Sequence, residues 1–146
     1  MGALRDILEE KVQVVHAVGP EATVIEAVDK MCQNRVGALL VEELGRPIGI
    51  LTERDIMTRL VLEQRDPSRT TVEEIMTTDV LCIDPDRSPE EAMSIMTARR
   101  VRHLPVVDGR SVIGIVSIGD LVRWASRSQD YEIRTLREYV SGVYAG

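Results

Sequence analysis

Gly49-Ile-Leu-Thr-Glu-Arg-Asp55 returns 65 positions later in the chain as Gly114-Ile-Val-Ser-Ile-Gly-Asp120. In both copies a glycine and two apolar residues precede a hydroxyl residue, and an aspartate follows three positions after that hydroxyl. A Thr or Ser at this spacing from an acidic residue is typical of the N-terminus of a helix. The stretch therefore predicts a strand that runs directly into a helix, twice in the chain.

The similarity between the two halves extends on both sides of these copies. Over positions 15–59, compared with positions 80–124, 13 of 45 residue pairs are identical, among them Pro20 with Pro85 and Met31 with Met96. Each half predicts the order strand, helix, strand, strand, helix. A single unit of about 50 residues buries too little apolar surface to be stable alone. We therefore expect an α/β (α+β) protein of two βαββα repeats, related by a pseudo-twofold axis and separated by clefts.

Turn and capping residues place the boundaries of the predicted segments. We expect an N-terminal helix over 1–10, a first repeat over 11–66, a linker with a short helix over 67–76, a second repeat over 77–127, and a helical tail over 128–146. The predicted first strands cover 14–18 and 80–83, Thr23 and Ser88 cap the following helices, and Thr71 caps the short helix. In the tail, Ile133, Leu136 and Val140 form one helical stripe, which would pack either on its own domain or at a dimer interface.

Composition excludes several classes of function. The formal net charge is −6, which disfavours a nucleic-acid partner. No apolar run is long enough to span a membrane, so we expect a soluble, cytoplasmic protein. Cys32, Cys82, His16 and His103 do not show the spacing of zinc ligands, and the sequence shows no recognisable Ser/His/Asp set. We therefore expect no enzyme activity, no bound metal and no required cofactor, and we expect Cys32 and Cys82 to be buried.

The two glycine-to-aspartate copies, together with Arg102-His-Leu-Pro-Val-Val-Asp108, resemble the CBS domain, which is named after cystathionine β-synthase. The resemblance covers about residues 10–127 and rests on two motif copies at matching spacing. It implies a tandem pair that binds AMP, ADP, ATP, NAD or S-adenosylmethionine, with AMP as the first expectation. It also implies a regulatory module that dimerises into a disc of four repeats and acts on an effector protein that the sequence does not identify.

The repeated Thr52/Asp55 and Ser117/Asp120 pairs suit the sugar of a nucleotide. An ionised aspartate offers two acceptor oxygens, which can accept both hydroxyl groups of a ribose. The alternative is that each pair is a capping box and nothing more. Both pairs keep aspartate where glutamate is the usual capping partner, and the two roles are compatible.

The resemblance implies further binding residues. Arg102 and His103 would contact phosphate in the second repeat, whereas the first repeat carries Arg54 where the second has Gly119, so the two sites should hold phosphate differently. The adenine ring would lie against segments 11–16 and 76–81 and against two strand residues; the residues concerned are Lys11, His16, Met76, Val80, Leu81, Ile50 and Ile115. The sequence thus favours an adenine-nucleotide sensor, with a ligand-independent dimerisation or scaffold module that binds a partner enzyme as the alternative.

Overall fold

The computed structural model describes residues 2–11 and 15–128 of the chain. The predicted tail helix and its stripe of Ile133, Leu136 and Val140 lie outside the described residues. In chain order the elements are α1 (Leu4–Lys11), β1 (Ala17–Val18), α2 (Val24–Asn34), β2 (Ala38–Glu43), β3 (Arg46–Thr52), α3 (Glu53–Ile56) continued by a π-helical segment (Met57–Val61), α4 (Val72–Ile75), α5 (Pro89–Arg99), β4 (His103–Asp108), β5 (Ser111–Ser117) and α6 (Ile118–Ser128).

The chain divides into two compact units. We call residues 14–81 the Asp55 unit, and residues 1–13 together with 82–146 the Asp120 unit. The Asp55 unit has a three-stranded sheet of order β1-β2-β3, in which β1 is parallel and β3 antiparallel to β2. One face of α2 joins this sheet in a buried core, because Val24, Ala27 and Met31 recur at helical spacing.

The Asp120 unit repeats the hairpin of the Asp55 unit. β4 and β5 pair antiparallel, and a bulge between Val106 and Val107 matches the one between Val41 and Glu42 in the β2-β3 hairpin. Both hairpins turn through two residues, and the glycine of each turn, Gly45 or Gly109, has a positive φ. The predicted βαββα duplication with mixed helix and strand content is confirmed.

Each unit also contains the short helix that precedes the other repeat in the sequence. α1 belongs to the Asp120 unit and α4 to the Asp55 unit. Both helices are fastened in the same way, by backbone N–H groups of their first turn. The bonds are Leu4 N to Arg87 O and Arg5 N to Pro85 O, both 3.0 Å, and Val72 N to Ala22 O (2.8 Å) and Glu73 N to Pro20 O (3.0 Å). The accepting residues occupy equivalent positions in the two repeats, so α1 and α4 are structural counterparts.

Three local predictions were wrong. The strand predicted over 80–83 is reduced to a single bridge between Ile83 and Val106, and β1 covers only two residues. Thr71 makes no side-chain capping bond to α4; its carbonyl instead accepts from the Glu74 amide at 3.1 Å. Both cysteines are exposed, because each lies on the outer side of its segment rather than facing the apolar residues beside it in sequence.

Within the part of the chain that the structure describes, no helix has the length and apolar character required to cross a bilayer. The described residues also contain no group of three or more His, Cys, Asp or Glu side chains that could hold a metal ion.

Candidate functional site

Asp55 lies in the first turn of α3, directly after β3, and its side chain is only 6% exposed. Its Oδ2 accepts from the Thr52 amide at 2.9 Å and from the Thr52 hydroxyl at 3.1 Å, and the Asp55 amide donates back to that hydroxyl at 3.3 Å. The capping box that the sequence predicts is therefore complete. It holds the carboxylate in one orientation at the strand-to-helix junction.

The other oxygen of Asp55 has a partner that sequence analysis missed. Oδ1 accepts from the hydroxyl of Thr77 at 2.9 Å. Thr77 is brought there by two backbone bonds with Ile50, each 2.9 Å long. This approach requires a glycine next to Ile50, because a Cβ at Gly49 would lie 2.8 Å from the Thr77 carbonyl oxygen.

Asp120 occupies the equivalent place at the start of α6 and is 5% exposed. Its Oδ2 accepts from the Ser117 amide at 2.8 Å, and the Asp120 amide donates to the Ser117 hydroxyl at 3.1 Å, which completes the second capping box. Two cations also bind the carboxylate. Lys11 Nζ lies 2.5 Å from Oδ2, and Arg123 Nη2 lies 2.5 Å from Oδ1.

Contacts with Lys11 and Ser117 lower the pKa of Asp120. Burial alone would raise the pKa of this carboxyl, but the hydrogen bond from Lys11, the bond from the Ser117 amide and the charge of Lys11 outweigh it. The net effect is a pKa below the ordinary value of an aspartate. Asp120 is therefore a stable anion at neutral pH, as an acceptor of hydroxyl donors must be.

Asp120 borders a pocket of about 210 Å³ between α1 and α6. The lining residues are Ile7, Glu10, Lys11, Asp120, Arg123, Trp124 and Arg127. Four of them recur at helical spacing along one face of α6, which explains why they converge. Arg127 is paired with Glu10 at 2.7 Å. The pocket thus combines three cations, two carboxylates and one aromatic ring.

Comparison with known proteins identifies the family. The family model described as CBS domain matches twice, at residues 4–62 and 72–127. The chain belongs to the CBS domain family. It is 38% identical over 121 residues to the CBS domain-containing protein YhcV of Bacillus subtilis, covering 83% of this chain and 84% of that protein. It is also 38% identical over 127 residues to the mitochondrial CBS domain-containing protein CBSX3 of Arabidopsis thaliana, where the match spans 84% of this chain and 62% of that relative.

Solved structures of CBS proteins agree with this fold. A protein with CBS domains from Burkholderia ambifaria is 39% identical with a TM-score of 0.83, covering 87% of this chain and 96% of that one. The CBS domain pair of protein MJ0100, in complex with 5′-methylthioadenosine and S-adenosyl-L-methionine, is 26% identical with a TM-score of 0.75, over 87% and 98% of the two chains. A hexameric CBS-CP12 protein from cyanobacteria is 27% identical with a TM-score of 0.77, over all of this chain and 90% of the other.

Six of the other predicted site residues, drawn from both predicted repeats and the segment between them, lie in the Asp55 unit. Ile50 is 6% and Met76 9% exposed. Met76 packs against Gly49, where its Sδ would lie 3.0 Å from an added Cβ. The remaining members are the half-buried His16, Val80 and Leu81 and the exposed Arg54. The structure thus brings Ile50, Met76 and Asp55 together around the β3-α3 junction.

The Asp120 unit contains Lys11 of the predicted first repeat and Arg102, His103 and Ile115 of the predicted second repeat. The carbonyl of the half-buried Ile115 accepts from Lys11 Nζ at 3.2 Å, which brings these two residues and Asp120 together. His103 is the first residue of β4 and pairs in register with Ser117, while Arg102 is exposed just before that strand. The predicted adenine segment 11–16 is divided between units, since Lys11 belongs to one and His16 to the other.

Proposed function

We propose that this CBS domain pair is a non-catalytic regulatory module that binds adenine nucleotides through Asp55 and Asp120. AMP is the first candidate ligand, and ADP, ATP, NAD(H) and S-adenosylmethionine are the others. Binding would report the energy or redox state to an effector protein. On this proposal the nucleotide is a signal, and the module requires no metal or cofactor.

One observation supports this function above the rest. Two aspartates in equivalent positions are each about 95% buried at the end of a glycine-containing strand, and each is held by a complete capping box. Buried carboxylates are costly unless hydrogen bonds compensate them. A cap on an exposed helix end does not require such burial, so a ligand that uses the carboxylate gives a reason for it.

The lone pairs of each carboxylate determine how a ribose would bind. An ionised aspartate has about four lone-pair sites, and both carboxylates already accept three hydrogen bonds within the described residues. A vicinal diol donates two bonds, so at least one protein donor must give way. At Asp55 that donor can be the hydroxyl of Thr77, which can rotate to a new acceptor.

The chemistry of MJ0100 supports an adenosine ligand, since both molecules in its complex contain adenine and ribose. The pocket beside Asp120, at about 210 Å³, is smaller than the roughly 300–1,000 Å³ typical of ligand sites. We therefore expect the side chains that border it to move when a nucleotide binds.

A thermal-shift panel of AMP, ADP, ATP, NAD and S-adenosylmethionine tests the proposal. A ligand that binds only the folded protein stabilises it by about 2.7 kcal/mol at 100 times its Kd. We expect at least one ligand to raise Tm in the wild type, with a smaller rise in Asp55→Asn and Asp120→Asn. No change in wild-type Tm with any ligand at millimolar concentration would reject nucleotide sensing.

The matched control is Thr23→Ala, which breaks the capping box of α2 in the Asp55 unit. Loss of a cap lowers stability by about 1 kcal/mol. The ligand-induced rise in Tm should be unchanged in this variant. If Thr23→Ala and Asp55→Asn reduce the ligand-induced rise in Tm equally, the role of Asp55 is helix capping alone.

The second candidate is a dimerisation or scaffold module that works without a ligand. In the π-helical segment and the residue after it, Met57, Val61 and Leu62 are 62%, 62% and 75% exposed. Residues four and five apart share a face of a π-helix, so these side chains form one apolar surface. We propose that a second copy of this chain covers it in a homodimer.

Light scattering after size-exclusion chromatography tests the dimer with the variant Val61→Glu. A buried unpaired charge at the contact would shift the mass toward the monomer. A wild-type dimer mass that Val61→Glu leaves unchanged would place the interface elsewhere. Dimerisation that persists while no adenine ligand binds would favour the scaffold role over the sensor.

A further inference from the structure

The two aspartates share a local geometry but have different outer partners. The oxygen of Asp55 that faces away from the cap accepts from the neutral hydroxyl of Thr77. Asp120 accepts instead from the ammonium of Lys11 and the guanidinium of Arg123, each at 2.5 Å. The two proposed sites therefore differ in the charge of the group that a sugar would displace.

At Asp120 the displaced group must be a cation. The Ser117 amide is fixed by the backbone, so a diol that binds this carboxylate takes the place of Lys11 or Arg123. The Arg123 side chain is 64% exposed and can turn toward water, whereas Lys11 is only 16% and the Asp120 side chain only 3% exposed. Parting a nearly buried ion pair is costly unless both charges find new partners.

Among the described residues that line the pocket, no unpaired carboxylate is left for the displaced cation. Of the two carboxylates in the lining, Asp120 would be engaged by the sugar, and Glu10 is already paired with Arg127. The Ile115 carbonyl, 3.2 Å from Lys11 Nζ, is neutral and satisfies one of the three ammonium protons. A ligand that brings its own anion would restore the balance of charge.

We infer that Lys11, with Arg123, makes binding at Asp120 selective for a ribose that carries a phosphate, whereas the Asp55 site discriminates less between nucleoside and nucleotide. The inference rests on the proposed function and adds the ligand class for one of its two sites. Lys11 is a specificity-determining residue. Without a ligand it forms an ion pair with the Asp120 carboxylate, and when a nucleotide binds it pairs with the phosphate instead. Charge-assisted bonds to phosphate are among the stronger contacts available to it.

The test is calorimetric titration of adenosine and of AMP into two single-site proteins. Asp55→Asn leaves only the Asp120 site intact, and Asp120→Asn leaves only the Asp55 site. In Asp55→Asn we expect AMP to bind at least about tenfold more tightly than adenosine. In Asp120→Asn the ratio should be several-fold smaller. Equal ratios in the two proteins would overturn the inference.

Lys11→Met in the Asp55→Asn background isolates the charge of Lys11 while it keeps the length of the side chain. We expect AMP to bind more weakly and adenosine more tightly, because the carboxylate is released and the phosphate loses its partner. Lys11→Arg should retain the preference for AMP. A parallel loss of both ligands in Lys11→Met would make Lys11 merely structural and would contradict the inference.

Arg110→Met is the charge-matched control, since Arg110 is an exposed residue of the β4-β5 turn in the same unit. It should leave the AMP-to-adenosine ratio unchanged. If the melting curve shows that Asp55→Asn does not fold, the AMP-to-adenosine ratio is measured instead by two-site titrations. These compare the chain that retains Asp55 with and without Lys11→Met. Binding of both ligands without discrimination overturns only this inference, whereas no binding by the wild type overturns the proposed function with it.

Discussion

Asp55 and Asp120 are identical residues at equivalent positions of the two repeats, but their hydrogen-bond partners differ. The carboxylates, their hydroxyl caps and their glycine-containing strands are the same, so local sequence alone makes the two positions equivalent. Their outer partners differ, because Thr77 reaches one and Lys11 and Arg123 reach the other. One aspartate thus lies in a neutral network and the other in an ionic one.

The ionic network predicts an acid-dependent stability for Asp120. Its pKa is lowered in the folded state, so the ionised carboxylate contributes stability that is fully present above the unfolded pKa of about 4 and is lost as pH falls through the lower folded value. We expect Asp120→Asn to be destabilised by roughly 1–3 kcal/mol at pH 7. The difference from wild type should shrink between pH 4 and pH 2, as measured by urea denaturation.

Asp79→Asn, which changes an exposed aspartate, is the control for the removal of one negative charge. It should shift stability by less than about 0.5 kcal/mol. A gap between wild type and Asp120→Asn that is as wide at pH 2 as at pH 7 would show that the ion pair is not its source.

Sequence separation explains which site residues could be predicted. The capping partners lie three residues apart, so spacing alone identified Thr52, Asp55, Ser117 and Asp120. Thr77 and Asp55 are 22 residues apart, and Lys11 and Asp120 are 109 apart, so only the folded chain reveals these contacts. Arg123 follows Asp120 by one helical turn, so helical spacing alone is enough to predict its contact with the carboxylate.

At the scale of elements, the two hairpins are covered by different kinds of atoms. The nearest atom to β3 at Gly49 belongs to the backbone, since the Thr77 carbonyl oxygen lies 2.8 Å from the place where a Cβ of Gly49 would be. β5 is approached by a side chain, since Leu8 of α1 lies 2.6 Å from the place where a Cβ of Gly114 would be. The Thr77 backbone is held by two hydrogen bonds, so it moves aside less easily than the end of the Leu8 side chain.

Alanine at these glycines should therefore have unequal effects. We expect Gly49→Ala to lower the free energy of unfolding by about 1–3 kcal/mol, as overpacking does elsewhere, and Gly114→Ala to lower it by less. Urea denaturation of the two variants measures this difference. The double variant Gly114→Ala/Leu8→Val should relieve the strain of Gly114→Ala, and a greater loss in Gly114→Ala than in Gly49→Ala would contradict the account.

At the scale of the whole molecule, sequence predicted the duplication but not the composition of its two units. Apolar periodicity and identical pairs identify two repeats, because both are local properties of the chain. They do not indicate that α1 joins the unit of the second repeat and α4 that of the first. That arrangement depends on backbone bonds between segments far apart in sequence, such as Leu4 to Arg87 and Val72 to Ala22.

The composition of the units predicts where each helix contributes stability. Ile7 of α1 is 4% exposed and Ile75 of α4 is 0% exposed. Truncation to alanine at such sites costs about 2–5 kcal/mol. By hydrogen exchange, Ile7→Ala should reduce protection mainly in residues 83–121 and Ile75→Ala mainly in residues 24–60. If Ile7→Ala instead reduced protection mainly in residues 24–60, this assignment would be contradicted.

The position of α1 also has a consequence for the order in which the protein is made. α4 is translated directly after the first repeat. Residues 15–81 can therefore fold while the ribosome is still adding the second repeat. α1 is translated before this unit but packs against residues of the second repeat, such as Pro85 and Arg87. The Asp120 unit should therefore fold only once the second repeat has been translated, and α1 should stay exposed to chaperones until then.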